Sequence, residues 1–136
     1  MPKALPSWRA TLTARNLCQG DVIAYPTEGV WGLGCLPELA QSVAHILRIK
    51  RRPWDMGLIL VASRFEQVED YLAGLGDEAR RQLEKTWPSA VTYLIPDNGV
   101  APTWIKGSHQ RVALRLSALH VVRSICAHLG GRLVSP

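Results

Sequence analysis

The stretch KRRPWDMGLILVA, residues 50–62, joins three consecutive cations to a fully apolar run. Pro53 disfavours the helical conformation for the residue before it, so Arg52 is expected to be extended. If Lys50 is extended too, Lys50 and Arg52 point to one side and Arg51 points away, because strand side chains alternate. Two converging cations ahead of a buried strand would seat an anion such as a phosphate or a carboxylate. A charge run is more often a solvated turn, so the local sequence leaves both interpretations open.

Length and composition indicate one soluble globular domain spanning residues 1–136. The chain is 47% apolar and 20% charged, which excludes a disordered protein. Its net charge of +5 favours anionic partners such as nucleotides or nucleic acid. No apolar run approaches the ~18 residues of a membrane span, and the amino-terminal residues lack the apolar region of a signal peptide. Cys18, Cys35 and Cys126 are scattered and odd in number, which predicts a reduced, cytoplasmic protein without a structural metal site.

Helical and strand patterns alternate along the chain, which predicts an α/β fold. Apolar strands are expected at 22–25, 57–62, 91–95 and 112–116, with another beginning at 133. Helices are expected at 7–19, from 37 to the basic stretch, after residue 63, from 77 to 87 and from 117 to 129. Ser63 and Glu66 would cap the third helix, and residues 96–109 are expected to form a long mobile loop.

Ligands of α/β sheets bind where strands end. Residues 26–28 follow one predicted strand, and the basic stretch precedes another. Both segments would line one cleft if the strand directions allow it. The glycine-punctuated residues 30–35 would let the backbone approach a ligand closely.

Short motifs occur here in the order found in one known family. They are YPTE at 25–28, WGLGC at 31–35, K-x-R-P at 50–53, GLIL at 57–60, WP-x-x-VT at 87–92, A-x-R at 113–115 and LVS at 133–135. The ordered set resembles the YrdC/Sua5/TsaC family of threonylcarbamoyl-AMP synthases, in its compact bacterial TsaC form, from about Gly20 onward. The resemblance implies a YrdC-like twisted mixed sheet with flanking helices around a basic concave cleft.

The resemblance also implies a reaction. L-threonine, bicarbonate and ATP would give threonylcarbamoyl-adenylate and pyrophosphate, and other proteins of the pathway would use the product for the t6A37 modification of tRNA. Such catalysis is mostly positioning and charge neutralisation. Mg²⁺ would arrive with ATP, since the sequence shows no dedicated carboxylate cage.

Six residues match the family's site. Lys50 and Arg52 would be the catalytic, ATP-binding cations, and Arg52 is suited to bidentate contact with an oxyanion. The other four would be a further ATP contact, Thr92, and three contacts to threonine or bicarbonate, Thr27, Arg115 and Ser135. Arg115 has an alternative structural role, an ion pair with an acid such as Glu28, because an arginine inside an apolar strand is unlikely to be buried unpaired.

Two departures from the family pattern bear on activity. Met56 stands where relatives often carry Lys or Asn, which removes a phosphate contact of roughly 1.5–3 kcal/mol when buried. Either ATP binds more weakly here, or another residue such as Arg51 or Lys106 compensates. Relatives continue past Ser135 through an S-T-S-A-N segment, whereas Pro136 is last here, which indicates a fragment or a truncated relative.

Two other functions remain open. A basic cleft would also bind double-stranded RNA or tRNA through phosphates without catalysis, although the chain lacks the interleaved aromatics of a base-stacking platform. The YrdC-like domains of hydrogenase-maturation carbamoyltransferases act on a different carbamoyl adenylate. Those domains lie within much longer chains that carry zinc-finger modules.

Overall fold

A mixed sheet of four strands organises the computed structural model, which describes residues 6–135. The strands are β3 (Ile59–Ala62), β4 (Tyr93–Pro96), β5 (Arg111–Leu116) and β6 (Leu133–Ser135). Their spatial order is β4-β5-β3-β6, with β3 and β5 parallel and the outer pairings antiparallel. A separate antiparallel hairpin joins β1 (Ile23–Pro26) to β2 (Trp31–Gly34). The predicted mixed α/β sheet is confirmed.

Four helices cover one face of the sheet. They are α2 (Ala40–Lys50), α3 (Glu69–Leu72), α4 (Asp77–Thr86) and α5 (Thr103–Lys106). Side chains such as Val43 and Ile46 of α2 pack with Leu60, Leu114 and other inward strand residues in the main core. The apolar run that follows the basic stretch is therefore the buried centre of the sheet, as its sequence indicates.

The opposite face is only partly covered. Helices α1 (Ser7–Cys18) and α6 (His120–Leu129) pack together with β1 over Val61 and Leu133, forming a second, smaller core. Within the described residues, no helix covers the part of this face that β4 and β5 form. We call this part the open face. None of the helices within residues 6–135 has both the length and the apolarity to cross a bilayer.

The glycine-punctuated segment after Val30 is strand β2, which pairs with β1 through its backbone, and its close approach to a ligand stays a prediction. The predictions for the third helix and its cap are wrong. The third helix is broken into a turn at Phe65–Gln67 and α3, and its cap is Gln67. The amide oxygen of Gln67 accepts from the backbone N–H groups of Ser63 and Arg64, where Glu66 was expected to act.

Residues 96–109 form packed structure where a mobile loop was predicted. They contain α5, and Ile105 is completely buried in the main core. The carbonyl of Ile105 accepts from the N–H of Leu58 at 2.8 Å, and the carbonyl of Asp55 accepts from the N–H of Ser108 at 3.1 Å. This segment therefore supports the end of the basic stretch.

Residues 1–5 and Pro136 lie outside the described residues. The position after Ser135, where relatives continue into the S-T-S-A-N segment, lies outside them too.

Gly107 lets residues 96–109 approach the backbone of Asp55 closely, and replacing this glycine should lower the stability of the fold. Its φ is +64°, and a Cβ there would lie 2.5 Å from the carbonyl oxygen of Asp55. We expect Gly107→Ala to lower the free energy of unfolding by roughly 2–4 kcal/mol, combining left-handed strain with overpacking. Urea denaturation measures the change. Gly99→Ala is the matched control, because Gly99 also has a positive φ but open space around it. Equal losses for the two variants would contradict the packing argument.

Candidate active site on the open face of the sheet

Strand β5 presents alternate residues to the uncovered face. Val112, Leu114 and Leu116 are buried in the main core, so Arg111, Ala113 and Arg115 point to the other side. Leu94 of β4 pairs with Ala113 and is 61% exposed on that same face. This face therefore carries an exposed leucine and two arginines side by side.

Arg115 is held at the border between the open face and the smaller core. Its Nη2 donates to the hydroxyl of Ser135 at 3.3 Å, while its Nε is buried and has no partner in the structure. Extending the β4–β5 register by one residue places Thr92 opposite Arg115. Arg115 of β5 thus contacts Ser135 of β6, and Thr92, which directly precedes β4, is placed beside Arg115 by the extended register.

The alternative role of Arg115 is not observed. The carboxylate of Glu28 accepts from the hydroxyl of Ser117 at 3.0 Å, and Arg115 forms no ion pair with any acid among residues 6–135. Ser135 is itself fully buried, so its hydroxyl orients Arg115, and its direct contact with a substrate stays a prediction.

Thr27 lies in the tight turn between β1 and β2. Its hydroxyl donates to the carbonyl of Val30 at 2.5 Å. The bond from Ser117 to the neighbouring Glu28 brings this turn to the carboxyl end of β5, two residues beyond Arg115. The structure therefore places Thr27 at the edge of the open face, with its hydroxyl engaged locally.

The basic stretch has a different geometry from the predicted one. Lys50 is the last residue of α2, not an extended residue, because Pro53 restricts only the residue immediately before it. Arg51 ends the helix with a left-handed φ of +51°. Partial burial, and then the charge of Arg52, lower the pKa of the Lys50 ammonium. Lys50 is exposed and does not line the cavity that Arg52 lines, so its contact with a phosphate stays a prediction.

Arg52 closes the turn that follows it. Its Nε and Nη2 donate to the carbonyl oxygen of Gly57 at 3.1 and 3.0 Å, which fixes the plane of the guanidinium. Nη1 makes no hydrogen bond within the described part of the chain. Arg52 is therefore a preorganised cation with donor capacity left for a ligand.

A cavity of about 400 Å³ lies beside this turn. Its apolar walls include Met56, Ile59, Leu94, Ile105 and Ala113, and its polar lining consists of Arg52, Lys106, His109, Gln110 and Arg111. No carboxylate lines it. Apolar walls with a cationic rim suit a nucleotide, whose base has apolar faces and whose phosphates are anionic.

The cations of the cavity differ in how they are engaged. Lys106 forms an ion pair with Asp97, from Nζ to Oδ2 at 2.7 Å. The hydrogen bond from Lys106 lowers the pKa of the Asp97 carboxyl, with backbone hydrogen bonds adding to the effect. A ring nitrogen of His109 lies 3.1 Å from the carbonyl oxygen of Met56. The sequence predictions included neither His109 nor Arg111, although the Arg-x-Ala-x-Arg alternation in β5 was a signal for Arg111.

Neither the cysteines nor the acids build a separate reactive centre. Burial raises the pKa of the Cys35 and Cys126 thiols to about 12, so both remain protonated at neutral pH. Among residues 6–135 no three His, Cys, Asp or Glu side chains are grouped to hold a metal ion. The donor set does not fit a resident metal, and we assign no chemical step to one.

Comparisons with known proteins identify the family of this chain. The Sua5/YciO/YrdC family model, described as telomere recombination, matches residues 15–136. A threonylcarbamoyl-AMP synthase of Cellvibrio japonicus is 46% identical over 93% of this chain and 67% of its own length. The Saccharophagus degradans protein of the same name is 47% identical over 95% of this chain and 70% of its own. P. abyssi Sua5 complexed with L-threonine superposes with a TM-score of 0.89 at 28% identity, over 98% of this chain and 39% of that one. The chain therefore belongs to the Sua5/YciO/YrdC family.

Proposed function

We propose that this protein is a threonylcarbamoyl-AMP synthase, forming L-threonylcarbamoyl-adenylate and pyrophosphate from L-threonine, bicarbonate and ATP. The observation that carries the proposal is Arg115, a guanidinium on the open face that is hydrogen-bonded to Ser135 and paired with no acid in the described chain. A partly buried cation without an acidic partner is suited to an anionic ligand. Curated relatives at 46–47% identity bear the name of this activity.

The reaction divides into two steps. The amine of threonine takes up the carbon of bicarbonate, or of CO2, to give a carbamate; from bicarbonate, water is lost. A carbamate oxygen then attacks the α-phosphorus of ATP, the bond to the β-phosphate oxygen breaks, and pyrophosphate leaves with that electron pair. No covalent intermediate with the enzyme is needed, so the protein acts by positioning and by stabilising charge.

The predicted residues divide between the two substrates. Arg115, oriented by Ser135, binds the threonine carboxylate, because a guanidinium matches a carboxylate in bidentate geometry. Thr27 lies at the same end of β5. Arg52 and Lys50 bind ATP phosphates, and Thr92 adds a hydroxyl beside Arg115. Mg²⁺ belongs to the substrate as Mg-ATP, bridging its phosphates.

The product is an adenylate, an activated acyl donor that a later enzyme consumes. We propose that it serves tRNA t6A37 modification in the cytoplasm. Direct binding of double-stranded RNA or tRNA is not favoured by the comparisons, since the curated relatives are named as synthases.

Pyrophosphate release tests the proposed function. We expect the purified chain to release pyrophosphate when threonine, bicarbonate and Mg-ATP are all present, and to form one threonylcarbamoyl-adenylate per pyrophosphate by mass spectrometry. Omission of threonine is the control and should abolish both signals. Release that is equal with and without threonine, or no release at all, would refute the proposal.

A further inference from the structure

We propose that Arg111 is a further substrate-binding residue, which holds the pyrophosphate portion of ATP at the amino end of β5. The inference rests on the proposed function and assigns a residue outside the predicted motifs. Met56 is an apolar residue within the basic turn, and it lies at the edge of the cavity. If the cation missing at that position is compensated, another cation of the cavity supplies the charge.

The two compensating residues expected from sequence do not supply a free charge there. Arg51 ends α2 in a left-handed conformation and does not line the cavity. Lys106 lines it, but its ammonium is neutralised by Asp97 at 2.7 Å. Within the described residues, Arg111 lines the same cavity and forms no hydrogen bond or ion pair through its side chain. Arg111 is therefore a cation of the cavity whose side chain is available to a ligand.

The position of Arg111 on a paired strand makes it a defined contact. Arg111 is the first residue of β5 and pairs with Pro96 of β4, and a site on such an element is held more precisely than one on a loop. Arg111 and Arg115 share the open face and are four residues apart, so their Cα atoms are separated by about 13 Å. Two cations at that spacing address two anionic groups of one extended ligand.

The geometry of phosphoryl transfer decides which group each arginine takes. The attacking and leaving oxygens lie roughly in line through the reacting phosphorus. If the threonine carboxylate is at Arg115, the carbamate attacks from that end and the pyrophosphate departs toward the other. Arg111 lies on that side and shares the cavity with Arg52. The negative charge that develops on the leaving pyrophosphate thus meets a second guanidinium.

The test compares Arg111→Gln with Arg123→Gln, which removes an equal charge from an exposed position on α6 that does not line the cavity. We expect Arg111→Gln to raise the KM for ATP and the Kd for inorganic pyrophosphate, measured by calorimetry, about 10-fold each. The KM for threonine and the unfolding midpoint should not change. Arg111→Lys should recover part of the loss, because it restores charge without the planar fork.

Each outcome is decisive. Changes below about twofold, matching Arg123→Gln, would overturn the role of Arg111, and so would an equal rise in the KM for threonine, which indicates a general disturbance of the sheet. Calorimetry with pyrophosphate needs no turnover. If the chain binds pyrophosphate in an Arg111-dependent way but forms no adenylate, the proposed function fails and the binding site stands. If it turns over normally without Arg111, only this inference fails.

Discussion

Replacing Arg115 by methionine should lower kcat/KM for threonine by about 100- to 10,000-fold without weakening the fold. The activity loss follows from two charge-assisted hydrogen bonds to the threonine carboxylate, each contributing roughly 1.5–3 kcal/mol. Steady-state kinetics with saturating ATP measure it. The KM for ATP should change far less, because the proposed phosphate contacts come from other residues.

Stability separates this prediction from a structural role. The Nε of Arg115 is buried without a partner among residues 6–135, so the native protein already bears the cost of desolvating it, about 1–3 kcal/mol. Methionine has similar length and no such group, so the unfolding midpoint of Arg115→Met should equal or exceed that of the parent. A large drop in stability would show that Arg115 holds the sheet together. Arg123→Met, an exposed arginine on α6, is the control and should change neither quantity.

The sequence predicts a strand correctly where neighbouring residues in the sequence determine the structure of the segment. The run 58–62 is apolar at every position, and such a run is stable only as a buried central strand. Segment 31–34 was not recognised as a strand, because two of its four residues are glycines that have no strand preference. Its pairing with β1 comes from the backbone and from packing beneath β6, where Val134 donates its N–H to the carbonyl of Cys35. Tertiary contacts of this kind leave no periodic pattern in the sequence.

The candidate site was predictable as a set of residues but not as a geometry. The order of the motifs identified Arg115 and Ser135 as site residues. In the structure, Arg115 donates a hydrogen bond to the hydroxyl of Ser135 across β3. The side-chain directions of the basic stretch were wrong, since Lys50 completes a helix and is not extended. Strand alternation indicates that Arg111 and Arg115 share a face. Arg111 becomes important only because Asp97 neutralises Lys106 in the same cavity. The sequence did not predict that ion pair, since both of its residues lie in the segment expected to be a mobile loop.

The second large effect is expected at Arg52. Arg52→Ala should lower kcat/KM for ATP by about 100-fold or more and the free energy of unfolding by about 1–2 kcal/mol. Two causes combine: the phosphates lose a guanidinium, and the carbonyl of Gly57 loses both donors that hold it, at 3.0 and 3.1 Å. Arg52→Lys should restore some stability and little activity. An ammonium lacks the planar fork with which the guanidinium bonds Gly57 and a phosphate at the same time. Kinetics with varied ATP and urea denaturation give the two quantities.

Arg51→Asn is the control that distinguishes a specific contact from a general field. Arg51 carries the same charge one residue away, but it is exposed and has a left-handed φ of +51° that asparagine tolerates. If Arg52 acts through its fixed guanidinium, Arg51→Asn leaves both kcat/KM and stability within about twofold and about 0.5 kcal/mol of the parent. If the turn attracts ATP only by summed charge, the two variants lose similar activity, and raised salt weakens ATP binding to the parent to the same extent. The fixed Arg52–Gly57 geometry predicts the first result, since a cation held in place by its own turn loses little conformational entropy when a phosphate binds.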